Sequence, residues 1–379
     1  PDWSRGLGDV YKRQAMINVS TWVGYDLDGR SDISWTDSFR LRLREKYMAL
    51  RGYERAVRDS KIDMLSPVAD RLAVGCATTS QHLKAFEAVE SGKAEFDTVM
   101  NALTEDPDRL VSSHALAKEI HQIAQDIPDE EDALTALVIS ADISTHGFGM
   151  GEVHLRINAA QIRNAMRPVD GRTISVSDGV SSPRLLIERL ALRIRKESAW
   201  DISFASLDGE TATARRQLML ATQFLKHIDS DQPVRLLIAE CEKPLTIMSA
   251  LYLAHKFGIT GMIDISPLFE TSYGLEHGEK IVDQLLQQPV FIDYLRQRGR
   301  LSIQTGFSDA GRFVGQVAAN MAIERLQLKI LRSLKAKVGT SIDLLIFNTH
   351  GESLGRGGAQ ARIAPVSYTH LTLPTIPGV

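Results

Sequence analysis

The spacing of apolar residues changes along this chain. In the first third they recur every three or four positions, which is the period of an amphipathic helix. The stripe between Trp35 and about Ser60 is formed by Phe39, Leu43, Tyr47 and Leu50. Further helices are predicted around Ser80–Leu103 and Ser112–Asp126, because Pro and acidic residues separate the periodic segments there. The first third is therefore predicted to be all-helical.

From Asp132 onward, short apolar runs alternate with amphipathic segments. The runs are Val153–Ile157, Ile202–Leu207, Val234–Ala239, Met262–Ile265, Leu301–Gln304 and Ile342–Phe347. Repeated strand–helix alternation predicts a parallel sheet. We expect an α/β fold with a high helix content, namely an incomplete (β/α)8, TIM-like barrel with large helical insertions. A doubly wound sheet is the alternative.

Local signals refine the boundaries of some elements. Ser182 and Pro183 are typical of an N-cap and the first helical residue, and residues 168–182 form the clearest long loop. A later helix is predicted to start with Ser308 or Asp309 as its N-cap. Its apolar stripe is expected to include Val314, Val317 and Met321.

The two ends of the chain carry related foreign-looking peptides. DVYKRQ at residues 9–14 and VSYTHL at residues 366–371 resemble translations of one sequencing-library transposon end, read on opposite strands. We therefore treat residues 1–14 and 366–379 as artefactual tails and exclude them from the fold. The remainder is expected to be an internal fragment, with a helical region at 15–131 and a partial barrel carrying the site at 132–365.

Composition excludes several classes of function. The net charge is −3 and the pI is near 6.4, so no basic surface for nucleic acid or an anionic membrane is expected. No apolar run is long enough to span a bilayer. Cys76 and Cys241 lack metal or disulfide spacing, which fits a reduced, cytoplasmic protein.

Two carboxylates follow successive predicted strands. Glu270 is the fourth residue of PLFET, and Asp309 ends GFSD. Side chains at the carboxyl ends of barrel strands face a common centre, and paired carboxylates are suitable ligands for Mg²⁺ or Mn²⁺. Each residue also has a simpler interpretation, because Glu270 suits a solvated loop and Asp309 suits a helix cap.

The last predicted strand runs into a polar, glycine-rich segment. It contains His350, Glu352, Arg356 and the glycines Gly351, Gly355, Gly357 and Gly358. Glycine lets backbone N–H groups approach a ligand, and arginine pairs with phosphate or carboxylate. The segment is predicted to be one wall of an anion-binding active site, although a flexible loop with a surface histidine has the same pattern.

Taken in order, PLFET, GFSD, HG…GRGG and the earlier WVGYDLDG at residues 22–29 resemble the motifs of phosphoenolpyruvate carboxylase. The resemblance spans almost all of residues 15–365. It implies a largely helical (β/α)8-barrel lyase, a carboxy-lyase that joins bicarbonate to phosphoenolpyruvate and releases oxaloacetate and phosphate. This anaplerotic reaction fixes carbon dioxide and feeds the tricarboxylic acid cycle. The resemblance also implies Mg²⁺ or Mn²⁺, a homotetramer and a possible aspartate effector.

Matched residue by residue, the resemblance implies Glu270 and Asp309 as metal ligands. It implies His350 near the carboxylation step and Arg356 as the second arginine of the glycine-rich loop. In GFSD and its continuation, Arg312 stands where the family has lysine. These roles follow from the resemblance and not from spacing.

The chain also departs from the family pattern. Its loop is shorter, and Glu352 stands where the family has its first loop arginine. An acid cannot replace a cation that contacts phosphate. The arginine of the family's DIRQ strand becomes Asn158, and Arg156 stands two residues earlier on the same strand face as a candidate substitute. Phe313 replaces an aspartate. We therefore expect a divergent branch of the family.

Alternatives from other classes stay open. Loss of the loop arginine is compatible with a non-catalytic paralogue that binds a metabolite, and the motifs also suit another metal-dependent barrel enzyme acting on a phosphorylated acid. The segment alone is expected to be inactive, because it lacks the family's T-A-H-P-T-E histidine and its C-terminal arginine.

Overall fold

The structure is a computed structural model that describes residues 19–28, 30, 32–88, 94–167 and 182–348, with the side chains of residues 94, 308, 309 and 348 outside that description. The chain begins with a short strand and five helices. These are β1 (Ser20–Thr21), α1 (Trp35–Asp59), α2 (Ser66–Ala88), α3 (Ala94–Glu105), α4 (Ser113–Asp126) and α5 (Glu130–His146), with a 3-10 turn at Asp63–Leu65.

Strands then alternate with helices. The first group is β2 (Glu152–Asn158), α6 (Ala159–Ala165), α7 (Pro183–Lys196), α8 (Phe204–Asp208), α9 (Thr213–His227), β3 (Val234–Ala239) and α10 (Pro244–Lys256). After a 3-10 turn at Thr260–Met262, the second group is β4 (Ile263–Phe269), α11 (Ser272–Leu285), α12 (Pro289–Arg298), β5 (Arg300–Thr305), α13 (Phe307–Val314), α14 (Gln316–Val338) and β6 (Asp343–Asn348).

The six described strands form one parallel sheet in the order in which they occur along the chain. A doubly wound sheet would reverse its strand order at a switch point, and this sheet does not. The sheet also curls. Glu152 on β2 pairs with Arg300 on β5 at 3.5 Å, and the Trp22 ring beyond β1 lies 5.8 Å from that of Phe347 on β6. We call this curled sheet the half-barrel, and it agrees with an incomplete α/β barrel.

Two apolar clusters hold the described structure together. The larger joins α1 to the helices around the half-barrel, with Phe39 packed against Phe86, Phe204 and Phe224. The smaller lies among α1, α2, α4 and α5 and includes Leu50 and Ile120. Within the described residues, no helix is both long and apolar enough to cross a membrane. The division of the chain near residue 132 stays a prediction.

Most predicted elements are confirmed, with four corrections. Ile202–Leu207 is not a strand, because Ser203 and Ser206 form a capping box that starts the short helix α8. The helix expected around Ser80–Leu103 is instead the end of α2 and most of α3. The first third also contains a strand, β1, which pairs with β2.

The fourth correction concerns α13 and α14. Val314, Val317 and Met321 are 44%, 75% and 67% exposed, so they are not the buried stripe. Gly315, at φ +83°, separates the two helices, and α14 buries a different face. That face consists of Ala319, Ile323, Leu326, Ile330 and Leu334. The long loop expected at 168–182 lies outside the described residues except for Ser182, and α7 starts at Pro183 as predicted.

Candidate active site

Glu270 lies directly beyond the carboxyl end of β4 and is 8% exposed. Its Oε1 accepts a hydrogen bond from the backbone N–H of Glu240, 3.2 Å away, in the turn after β3. Glu240 has a left-handed backbone, with φ +53°. The carboxylate is therefore held at the sheet edge and not in a solvated loop, which overturns the simpler interpretation of Glu270.

Gly306 brings the GFSD segment against Glu270. Its backbone N–H donates to the Phe269 carbonyl at 3.0 Å. A Cβ atom at position 306 would lie 2.5 Å from the Glu270 Cβ, a distance that real side chains do not tolerate. The absence of a side chain at Gly306 thus allows the ends of β4 and β5 to meet.

The helix that follows Gly306 begins earlier than the sequence predicts. Gly306 is the N-cap of α13, so neither Ser308 nor Asp309 occupies that position. Asp309 is in the first turn of α13, where the helix dipole stabilises a carboxylate. Its side chain lies outside the described residues.

The residues present at this edge fit a hard divalent cation in type. Such a cation prefers carboxylate oxygens and keeps several waters. Among the residues that the structure describes, no group of three or more His, Cys, Asp and Glu side chains could hold a metal ion. Glu270 supplies one carboxylate at this edge. A site with two carboxylates therefore requires Asp309, from α13, as its second ligand.

Arg156 sits near the carboxyl end of β2 and is half-buried. Its guanidinium pairs with Asp26 at 3.5 Å and with Asp28 at 3.2 Å. The backbone of residues 25–27 runs beside β2, since Leu27 N donates to the Arg156 carbonyl and Arg156 N donates to the Tyr25 carbonyl. The candidate phosphate-side arginine is thus partly neutralised by the WVGYDLDG segment. A phosphate would compete with these two carboxylates.

Asn158, at the position where the family has arginine, has two polar roles in the structure. Its side chain accepts from Gln161 N and caps α6, and its amide donates to Asp28 at 3.1 Å. Asp28 therefore contacts both Arg156 and Asn158, the two residues that correspond to the family's strand arginine by side-chain type and by position. Gln161 extends this linkage by donating to the Leu27 carbonyl at 3.0 Å.

Arg312 lies in the last turn of α13 and is exposed, as is its neighbour Phe313. The predicted loop residues His350, Gly351, Glu352, Gly355, Arg356, Gly357 and Gly358 lie outside the described residues.

Sequence reasoning missed several residues that shape this edge. The sequence patterns do not predict Asp26 and Asp28 as partners of Arg156. Gly306 was noted as part of GFSD without its packing role. One signal for this pairing is present in the sequence. Asp26 and Asp28 are two residues apart, so in extended backbone their side chains point the same way and can both pair with one basic residue, such as Arg156.

Comparison with known proteins gives a consistent result. The family model described as phosphoenolpyruvate carboxylase matches residues 138–373, which is more than half of the chain. Phosphoenolpyruvate carboxylase from Marinomonas sp. (strain MWYL1) is 31% identical over 130 residues, covering 34% of this chain and 14% of that protein. The protein of the same name from Corynebacterium glutamicum is 23% identical over 264 residues, covering 66% of this chain and 27% of that protein.

A third relative, phosphoenolpyruvate carboxylase 2 from Chlamydomonas reinhardtii, is 32% identical over 106 residues, covering 27% of this chain and 8% of that protein. In each case the matched part spans less than a third of the relative's length. The family-model match includes β2 to β6 with Arg156, Glu270 and Gly306, whereas β1, Asp26 and Asp28 precede it. This chain belongs to the phosphoenolpyruvate carboxylase family.

Proposed function

We propose that this chain is part of a phosphoenolpyruvate carboxylase, which converts phosphoenolpyruvate and bicarbonate into oxaloacetate and phosphate. The observation that carries the proposal is the contact between two family motifs. PLFET contains the buried Glu270, and GFSD begins with Gly306, whose missing side chain leaves room for that glutamate. The reaction is inferred from family membership, and the contact between Glu270 and Gly306 supports the position of the site.

Glu270 and Asp309 would hold Mg²⁺ or Mn²⁺ at this edge. When bound, such a cation stabilises negative charge that develops on an enolate oxygen. The Glu240 N–H fixes one oxygen of the Glu270 carboxylate, so that this ligand is oriented before the cation arrives. We assign the rest of the chemistry to the cationic side chains of the same edge.

Arg156, Arg312 and Arg356 would neutralise the phosphate and carboxylate of the substrate. Guanidinium groups suit this role, because they stay charged and donate in a fixed fork. His350 would handle a proton near the carboxylation step, since imidazole changes its charge near neutral pH. The glycines of residues 351–358 would let backbone N–H groups approach the anion.

The test is oxaloacetate formation by the complete protein that carries this chain, with phosphoenolpyruvate, bicarbonate and Mg²⁺. We expect activity in the parent, and a loss of roughly 100-fold or more on Glu270→Gln or Asp309→Asn. Glu276→Gln, at an exposed position of α11, is the matched control and should retain the parental rate. Equal rates in all four proteins would contradict the metal assignment.

A second candidate function is metabolite binding without catalysis. Two observations favour it: Glu352 replaces a loop arginine, and Asp26 and Asp28 already pair with Arg156. A binding paralogue would take up phosphoenolpyruvate in a calorimetric titration but would form no oxaloacetate. Oxaloacetate formation by the complete protein would exclude this alternative.

The remaining family properties are expectations for the whole protein. A homotetramer and an aspartate effector follow from the resemblance, and a cytoplasmic location is expected from the cysteine pattern. Sedimentation of the complete protein tests the first, and inhibition by added aspartate tests the second.

A further inference from the structure

The interior of the half-barrel contains polar side chains that the reaction does not use. His154 is in the middle of β2, between Glu152 and Arg156 on the same strand face, and is fully buried. Neither of its ring nitrogens has a hydrogen-bond partner among the described residues. Most buried polar atoms in proteins are paired with protein groups or with ordered water, so His154 requires an explanation.

Two other side chains with unpartnered atoms border the same space. Arg235 stands opposite His154 in the β2–β3 ladder, and its Nε has no partner in the described part of the chain. Gln304 stands opposite Phe347 in the β5–β6 ladder, and its Oε1 is equally unpaired there. The Phe347 ring packs edge-on against His154, with 5.3 Å between ring centroids. These contacts connect Arg235, His154 and Gln304 around one interior region.

We propose that the half-barrel interior binds ordered water around His154, between its ring nitrogens, Arg235 Nε and Gln304 Oε1. A neutral imidazole has one donor and one acceptor, Arg235 Nε is a donor, and Gln304 Oε1 is an acceptor. The set therefore has two donors and two acceptors. Water both donates and accepts, and a buried water typically makes two to four hydrogen bonds.

Other ligands fit this set poorly. An anion only accepts, so it would leave the imidazole acceptor and Gln304 Oε1 without donors. A cation would be repelled by the nearby Arg235 guanidinium. Burial lowers the pKa of His154 to about 3, and the charge of Arg235 acts in the same direction, so the ring is neutral near pH 7. A neutral ring agrees with water as the partner.

The proposed water reaches toward the candidate active site. Arg156 lies two residues beyond His154 on the same face of β2, and its Nε is also buried without a partner in the described structure. The other nitrogens of this guanidinium contact Asp26 and Asp28. Nε is therefore the nitrogen of the Arg156 guanidinium that remains for a further water. This inference does not depend on the proposed carboxylase activity.

A crystal structure of the complete protein with its waters resolved tests the proposal directly. We expect water within hydrogen-bond distance of at least one ring nitrogen of His154. A dry interior around His154 would overturn it. Because this observation concerns the unaltered protein, it stands even if a variant fails to fold, and it is independent of whether oxaloacetate is formed.

Variants of His154 provide a second test, because a hydrated and a dry interior predict opposite changes in the thermal midpoint. If water binds His154, His154→Leu should lower the thermal midpoint by roughly 2–6 °C, because the bound water loses partners. His154→Gln keeps one donor and one acceptor and should restore most of that loss. If the interior is dry, His154→Leu removes two unsatisfied buried nitrogens and should raise the midpoint instead. An increase, or equal losses in both variants, would overturn the proposal.

Discussion

The two ends of the half-barrel both concentrate charge, but they use it differently. At the amino ends of the strands, the charged groups are Glu152, Arg235, Asp264, Arg298 and Arg300, and they pair with one another. Asp264 is 1% exposed and pairs with two arginines. At the carboxyl ends, Arg156 and its acidic partners are only half-buried.

This difference separates structural charges from charges that a ligand can reach. Burial raises the pKa of Asp264, but hydrogen bonds from Arg298 and Arg300 outweigh it and hold that pKa below its usual value. Such a network fixes the strands through pairs among its own charges. At the other end, paired carboxylates and a guanidinium stay accessible, as binding requires.

The largest expected effect follows from breaking the buried network. Asp264→Asn leaves Arg298 and Arg300 without their shared carboxylate, and removing one partner of a buried pair costs about 3–5 kcal/mol. Urea denaturation should show this loss in the free energy of unfolding. The control is Asp293→Asn, which alters an exposed pair with Arg296 and should change stability by less than ~1 kcal/mol. Similar losses in both variants would refute the distinction.

The second effect concerns the contact between PLFET and GFSD. Gly306→Ala places a Cβ against Glu270, and we expect a loss of about 1–3 kcal/mol in stability from overpacking. It should also weaken Mn²⁺ binding by the complete protein, measured by calorimetry. Gly52→Ala in α1 is the control, because nothing lies within 4 Å of its new Cβ and alanine favours a helix. Unaltered Mn²⁺ affinity in Gly306→Ala would contradict the proposed site.

A third prediction concerns a buried lysine that has no opposite charge in hydrogen-bond contact among the described residues. Lys46 donates to the His227 carbonyl at 2.8 Å, and burial lowers its pKa from 10.5 to about 7. Between these values the unfolded chain binds more protons, so the free energy of unfolding should rise with pH from 7 to 10.5. The slope contributed by one group is at most about 1.4 kcal/mol per pH unit.

Urea denaturation at several pH values between 7 and 10 measures this slope. Lys46→Met should flatten the dependence, whereas Lys118→Met, at an exposed position of α4, should leave it unaltered. If Lys46→Met and the parent have parallel profiles, the buried lysine is not the source of the pH dependence.

The smallest expected effect concerns the competition between Asp28 and phosphate for Arg156. Asp28→Asn removes one carboxylate partner of a half-buried arginine, and such pairs are worth about 0.2–1 kcal/mol. We therefore expect inorganic phosphate to bind the complete protein up to ~5-fold more tightly, by calorimetry. Asp32→Asn, at the exposed pair with Arg30, is the control. Weaker phosphate binding in Asp28→Asn would show that Asp28 supports the anion site and does not compete with it.

The sequence predicted much of this fold, because strand signals are local. Val234–Ala239 matches β3 without correction, since all six residues are buried and only Arg235 interrupts the apolar run. The strand predicted at Ile202–Leu207 is wrong because Phe204 and Leu207 also have the spacing of a helix. The N-cap at Ser203 favours the helix over the strand. Short apolar runs do not distinguish these states by period alone.

The site was harder to predict, because its chemistry depends on distant pairing. Glu270 and Arg156 were correctly placed near strand ends, but the sequence did not show that Arg156 meets Asp26 and Asp28. The Gly306 contact likewise joins two segments through their packing. The partnership of Glu270 with Asp309, and the roles of His350 and Arg356, stay predictions from family resemblance.

The position of a bound Mn²⁺ ion tests the central claim most directly. Crystals of the complete protein grown with Mn²⁺ give an anomalous difference map in which the ion is identified by its own scattering. The account predicts a peak coordinated by the carboxylates of both Glu270 and Asp309, and its loss in Asp309→Asn. A peak at another position, or carboxylates too far apart to share one ion, would contradict it.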